Sequence, residues 1–265
     1  MSYKTEFIPF AVSLLSEFGF KSDKKLDVAI HTMGNLVLEI RFAGRRGKEV
    51  HFSCSVLNEF FAELDFKLTG SNYWGNALIN ILTNHAFPRW DEDLEFSGQI
   101  DFECWQNKNG LSFEEARKEF ERLFLGFILP WFERHKTYEG IRRTHREGAL
   151  SGKLWDKAWS NTDFTPRDGG QLISGSLFQT FYIDVLISRL IGDDMRPVND
   201  IYEEFYKDGY EKMYSKIDEK TGKARREGRV GKLYFDALPS IIQRIDSVTE
   251  KEWEEYRELT GIGII

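Results

Sequence analysis

Three groups of arginine and lysine come closest, in this 265-residue chain, to residues whose type and spacing could do chemistry. Arg142, Arg143 and Arg146 fall within about one turn of an expected short helix. Lys223, Arg225, Arg226, Arg229 and Lys232 lie in or beside a polar, glycine-rich segment, and Arg41, Arg45, Arg46 and Lys48 cluster around a turn between two expected strands. A guanidinium offers a planar fork of donors that matches a carboxylate or a phosphate. Arg142, Arg143, Arg146, Arg225, Arg226 and Arg229 are therefore the candidate binding residues, for an anion or an acidic partner. The plain alternative for each group is a solvated charged face.

Other chemistries find less support. A metal site needs His, Cys, Asp or Glu converging on one face. His51 and Cys54 are three apart on an expected strand, so they point to opposite faces. His135 and His145 are ten apart across an expected helix break, His31 adjoins a hairpin turn, and His85 lies in an irregular segment. No metal and no cofactor is expected. Ser174-Gly175-Ser176 lacks the strand-serine-helix elbow of a nucleophile. Gly169-Gly170 is followed by Gln171-Leu172 and not by the lysine of a phosphate loop. Cys54 and Cys104 alternate with apolar neighbours and read as small buried hydrophobes. Asp193-Asp194, at an expected helix end, reads as a turn or a cap.

Composition sets the broader limits. Hydrophobic residues make up 41% and charged residues 30%, as in a folded globular protein. The net charge of −7 opposes a general nucleic-acid binder, because phosphates would be repelled at long range. No apolar run is long enough to span a membrane. The first residues lack the basic and unbroken apolar stretches of a signal peptide, and two cysteines cannot build a disulfide framework, so a cytoplasmic protein is expected. Aromatic residues reach 15%, carried by 22 Phe; they read either as a Phe-rich core or, in part, as an exposed recognition patch.

The elements that must position these residues follow from periodicity. Phe7, Ala11, Leu14, Leu15 and Phe18 form one helical stripe ended by Gly19. Val28 and Ile30, then Leu36, Leu38, Ile40 and Phe42, alternate about Gly34-Asn35 as a hairpin packed on that helix. Val50, Phe52, Cys54 and Val56 make a third strand. Residues 60–68 share one parity and suggest a fourth; residues 76–83 suggest a short helix, and Ile100, Phe102 and Cys104 another strand. Ser112-Phe113-Glu114-Glu115 is a capping box opening a helix that Pro130 should kink or end, with Trp131 and Phe132 buried at the bend. Thr137 starts the next helix. Residues 160–175 read as a long loop. Beyond it come an apolar helix over Leu177–Ile191, a helix with Pro197 in its first turn, a polar loop from Asp218 to Gly231, an apolar helix over Leu233–Ile245, and a last helix opened by the capping box Thr249-Glu250-Lys251-Glu252. The expected fold is α+β: an N-terminal antiparallel sheet of about four strands covered by helices over residues 1–150. A helical region over residues 151–265 follows, separate or packed as one unit with the first.

The run Leu14-Leu15-Ser16-Glu17-Phe18-Gly19-Phe20-Lys21, the strands through Val56, and Leu129-Pro130-Trp131-Phe132-Glu133-Arg134 resemble a bacterial family named domain of unknown function 4304. The resemblance covers roughly residues 5–145. Residues Phe60–Asp101 depart from the family pattern, and the helical half is additional. The resemblance implies an α+β fold with helices on one face of a sheet, and no established activity. Neighbouring small bacterial families include toxin-neutralising immunity proteins, a link at the level of fold alone.

Three functions remain in play. The first is a non-enzymatic protein-interaction module of immunity or regulatory type, whose partner is another protein. The second is a nucleic-acid or phosphate binder using the arginine clusters, with binding that falls steeply with salt. The third is an enzyme whose polar residues converge only in three dimensions.

Overall fold

The computed structural model describes residues 3–22, 27–45, 49–70, 76–81, 86–88, 95–97, 99–101, 109–151, 177–215, 222–224 and 229–263. In chain order the elements begin with α1 (Tyr3–Ser16), β1 (Lys21–Ser22), β2 (Val28–Met33), β3 (Leu36–Arg45), β4 (Glu49–Asn58) and α2 (Phe61–Thr69). Short strands follow: β5 (Ala77–Ile81), β6 (Ala86–Pro88), β7 (Glu95–Ser97) and β8 (Gln99–Asp101). The remainder is helical: α3 (Phe113–Leu123), α4 (Leu129–His135), α5 (Tyr138–Ser151), α6 (Leu177–Ile191), α7 (Val198–Ile201), α8 (Lys207–Ser215), α9 (Arg229–Asp246) and α10 (Glu250–Thr260). This is the expected α+β order, sheet first and helices after. Among the described residues no helix is long and apolar enough to cross a membrane.

The chain divides into two compact units, Met1–Glu59 with Ala77–Lys136, and Phe60–Asn76 with Thr137–Ile265. The division thus falls at Lys136, ahead of the residue 150 suggested by the sequence, and α2 belongs with the helices.

In the sheet unit the strands pair antiparallel in the order β1-β2-β3-β4-β5, with β8 sharing the outer edge of β4; β6 and β7 form a separate ribbon. Gly34-Asn35 closes the β2–β3 hairpin, since Met33 faces Leu36 directly. Leu38, Ile40 and Phe42 stand opposite Val56, Cys54 and Phe52, and all six are buried. This face carries the core. Phe120 of α3 meets Phe42, Phe52 and, from α1, Phe7, with ring centroids 5.5–5.9 Å apart. The Phe-rich core is therefore real, and burial pushes the Cys54 thiol up.

One parity differs from the sequence reading. Val28 and Ile30 alternate well, but pairing sets Ile30 against Glu39 and Val28 against Arg41, on the face opposite to Leu38 and Ile40. Ile30 is 39% exposed, and Ala29 and His31 take the core side. A strand's period does not say which parity faces inward; the partner strand does. His31 then finds its hydrogen-bond partner in the Phe18 carbonyl, 3.0 Å from Nδ1, and meets the Phe20 ring edge-on.

Two segments change type. Residues 60–68 were expected as a strand and form α2: Phe61, Leu64 and Leu68 share one buried helical face, while Phe66 of the strand parity is 58% exposed. Residues 76–83 were expected as a short helix, yet Ala77–Ile81 extends along the open edge of β4. A short apolar run fits either period, and an available edge decides.

The capping box predicted at Ser112 and Glu115 forms in both directions and opens α3. Its helix does not end at Pro130. It passes through a π turn over Phe124–Ile128 into α4, with Pro130 in the first turn. Widening the backbone ladder there accommodates the missing proline N–H. Trp131 and Phe132 are buried, as expected.

Gly19 ends α1 at φ +84°, and a Cβ built on it would lie 2.9 Å from Cε1 of His31. Gly19→Ala is expected to destabilise the sheet unit by about 1–2 kcal/mol through the left-handed backbone alone, with the displaced imidazole adding to it. A urea transition unmoved by the substitution would refute this geometry.

The helical unit is built around α6, whose described side chains are buried from Phe178 to Leu190. Tyr182 donates a 2.7 Å hydrogen bond to the buried Asp65 carboxylate of α2. Arg244 of α9 reaches the Leu68 carbonyl, and Arg257 of α10 the Leu190 carbonyl, at 3.3 and 3.0 Å. The second predicted capping box, Thr249 with Glu252, also forms.

Candidate functional site

Helix α5 starts where Thr137 accepts the Gly140 amide, which sets the phase that turns Arg142 and Arg146 toward α6. Both sit within reach of Asp184, which is fully buried in α6. Asp184 accepts from Arg146 Nε at 2.9 Å and Nη2 at 3.1 Å, from the Tyr206 hydroxyl at 2.6 Å and from Ser188 at 3.2 Å. A carboxylate removed from water needs such donors on both oxygens.

The second layer comes from the segment after α6. Gly192, at φ +73°, turns the chain left-handed, and the Asp193 amide closes back onto the Ser188 carbonyl in a Schellman end. That turn delivers Asp193, Asp194, Met195 and Arg196 beside α5. Asp194 accepts from Arg146 Nη1 at 2.8 Å and from Arg196 Nε and Nη2 at 3.0 and 2.9 Å. Arg196 also donates to Glu204 at 2.6 Å. Asp193 pairs with Arg142 Nη2. Beneath, Asp246 of α9 accepts from Arg189 and from the Val198 amide that opens α7. Pro197 thus stands just before the helix, at its cap.

Between α7 and α8 a π turn over Tyr202–Tyr206 places neighbours Phe205 and Tyr206 at one end of this network. The Phe205 ring lies 4.6 Å from the Arg146 guanidinium and 5.8 Å from that of Arg196. Arg142, Arg146, Asp193, Asp194, Met195 and Arg196 line a shallow, open depression. Met195 is 50% exposed there.

Arg142 is the least satisfied member. Its Nη1 stays 3.9 Å from Asp184, and its buried Nε has no acceptor among the described residues. A buried donor without a partner costs about 1–3 kcal/mol.

Hydrogen bonds from Arg196, and further ones from Arg146, hold the Asp194 carboxyl well below the usual carboxylate range against the opposing effect of burial. Burial, then the Asp184 charge, raises the Tyr206 hydroxyl well above its ordinary value; burial and the nearby Glu211 and Glu203 push Tyr202 up to about 12. The depressed carboxyl contributes stability above the unfolded aspartate value of about 3.9, lost as pH falls through the folded one. The raised tyrosines contribute stability that is full below about 10 and lost as pH climbs through their folded values. Melting temperature followed by circular dichroism should therefore fall below pH ~4 and above pH ~10. Arg196→Gln should weaken the acid limb and leave the alkaline limb in place; an unchanged acid limb would contradict the role given to Asp194.

Of the residues singled out by sequence, the structure joins Arg142 and Arg146, while Arg143 is exposed on α5. Arg225 and Arg226 lie outside the described residues, as do Arg46, Lys48, Cys104 and the segment 160–175; of Arg229 only the backbone, at the start of α9, is described. Arg41 pairs with Glu39 on β3. Sequence reasoning missed Asp184, Met195, Arg196, Phe205 and Tyr206 as site residues, and read Asp193-Asp194 as a turn or a cap. Among the described residues no group of three metal-ligating side chains occurs.

No protein-family model matches the chain, and no curated protein or solved structure shows significant similarity to it.

Proposed function

We propose that the chain is a non-enzymatic protein-interaction module of immunity or regulatory type, and that its helical unit meets the partner around Met195. The observation that supports this is the half-exposed Met195 set in a depression rimmed by Arg142, Arg146 and Arg196. Methionine and arginine are enriched where proteins bind one another, in apolar centres with polar rims. Arg146 and Arg196 are already held by Asp184, Asp194 and the Phe205 ring, so docking on them loses little side-chain freedom.

The test is quantitative capture by the tagged chain from its host's lysate. One protein should be recovered in stoichiometric yield, Met195→Glu should cut that yield about tenfold, a cost of ~1.4 kcal/mol, and Phe66→Glu on the exposed side of α2 should leave it intact. The absence of a stoichiometric partner would overturn the reading. Loss with Phe66→Glu in place of Met195→Glu would overturn the assigned face.

A further inference from the structure

Resting on that reading, we infer that Met195 is a modification site: a hydroperoxide oxidises its thioether to the sulfoxide, and the sulfoxide switches the partner face off. The side chain is held where an oxidant can reach it. Met195 lies between Asp194 and Arg196 on the turn that follows Gly192, and both neighbours are fixed. Arg189 donates to the Asp194 and Arg196 carbonyls, and the Arg196 amide donates to the Asp194 carboxylate at 3.3 Å. The Asp193 and Asp194 side chains are tied to Arg142 and Arg146 on α5. Met195 cannot withdraw without breaking these bonds, and it stays 50% exposed.

The other sulfurs whose surroundings are described are better shielded. Cys54 is fully buried in the sheet, where desolvation keeps it as the unreactive thiol. Met33 is half-buried beside the β2–β3 hairpin turn. Oxidation of a cysteine follows thiolate character and exposure, and Cys54 has neither. The reaction at Met195 balances with peroxide alone. The sulfur lone pair attacks one peroxide oxygen, the O–O bond breaks as the S–O bond forms, the sulfur gives up two electrons, and the second oxygen leaves as water. The product is polar. At the apolar centre of the partner face it brings a dipole that docking must strip of water. The hydrogen bonds that Asp184 and Asp194 accept do not involve the thioether, so the helical unit keeps its fold.

The experiment treats the whole chain with hydrogen peroxide, removes the peroxide with catalase, and maps oxygen addition by mass spectrometry of peptides. Met195 should gain one oxygen ahead of Met33 and Cys54. Capture is then repeated from host lysate dialysed free of reductants. The oxidised chain should recover about tenfold less partner, and methionine sulfoxide reductases with dithiothreitol should restore the yield. Met195→Leu, compared with itself, should capture as much after peroxide as before, while Met33→Leu should show the same drop as the native chain. The circular-dichroism melting curve should not move on oxidation. Earlier oxidation of Met33 or Cys54, undiminished capture by the Met195 sulfoxide, or an equal drop in Met195→Leu would each overturn the switch. So would a melting temperature that falls with oxidation, which would make the loss one of unfolding. If the untreated chain captures no partner, the module reading falls and the switch with it, whereas a failure confined to the oxidised chain leaves the module standing.

Discussion

Asp184→Ala is expected to destabilise the helical unit by about 3–5 kcal/mol, because removing one member of a buried ion pair strands the other. Arg146 would keep its charge with only Asp194 to balance it, and the Tyr206 hydroxyl would lose its 2.6 Å acceptor in a fully buried position. The second expectation separates this from simple loss of contact. Asp184→Leu combined with Arg146→Met removes both charges, and should recover much of the loss, as apolar replacements of buried pairs often do. Urea transitions of the single and double variants form the cycle. A single variant within about 0.5 kcal/mol of the native chain, the range of a surface change, would show that water reaches Asp184.

Phe120→Ala is expected to cost the sheet unit about 3–5 kcal/mol. Phe120 is fully buried and has aromatic neighbours on both sides: Phe42 and Phe52 from the strands, Phe7 from α1 and Phe124 from its own helix. Four rigid rings set around one relax poorly into the space, so much of the cavity persists. Phe66→Ala, at a 58% exposed position, should stay within about 0.5 kcal/mol in the same urea assay. Equal effects at the two positions would mean that Phe120 is not the centre of that core.

What could be seen in the sequence was whatever short-range chemistry determines. Ser112 with Glu115 and Thr249 with Glu252 close their capping boxes within four residues, and Gly34-Asn35 turns its own hairpin. Leu177–Ile191 is apolar enough to be buried in any arrangement. The inward parity of β2 was not readable, because Val28 and Ile30 alternate as well as Ala29 and His31 do, and only the register against β3 chooses. Residues 60–68 and 76–83 were too short for their periods to discriminate strand from helix. At the site, the spacing of Arg142 and Arg146 was visible but their partners were not, since Asp184 and Asp194 lie 38 and 48 residues beyond Arg146. A signal was nonetheless present. Asp184 is the one carboxylate in a mostly apolar helix, and a buried carboxylate calls for a cation or other donors.

The interleaving of the two units bears on how a ribosome can release this chain. Synthesis runs from the N-terminus at about 5–20 residues per second, and domains fold as they emerge when their sequence is contiguous. Here β5, β8, α3 and α4 complete the sheet unit only after α2 has already been made. Helix α2 must then wait for α9 and α10, nearly two hundred residues later, before Phe61, Leu64 and Leu68 have the helices they pack against. Such long sequence separations slow folding, because loop closure precedes the contacts that reward it. For most of its synthesis the nascent chain therefore lacks the helices that cover these three side chains. A chain truncated after residue 150 is expected to leave Phe61, Leu64 and Leu68 without those helices and to be less soluble than the whole chain, although its sheet strands are all present.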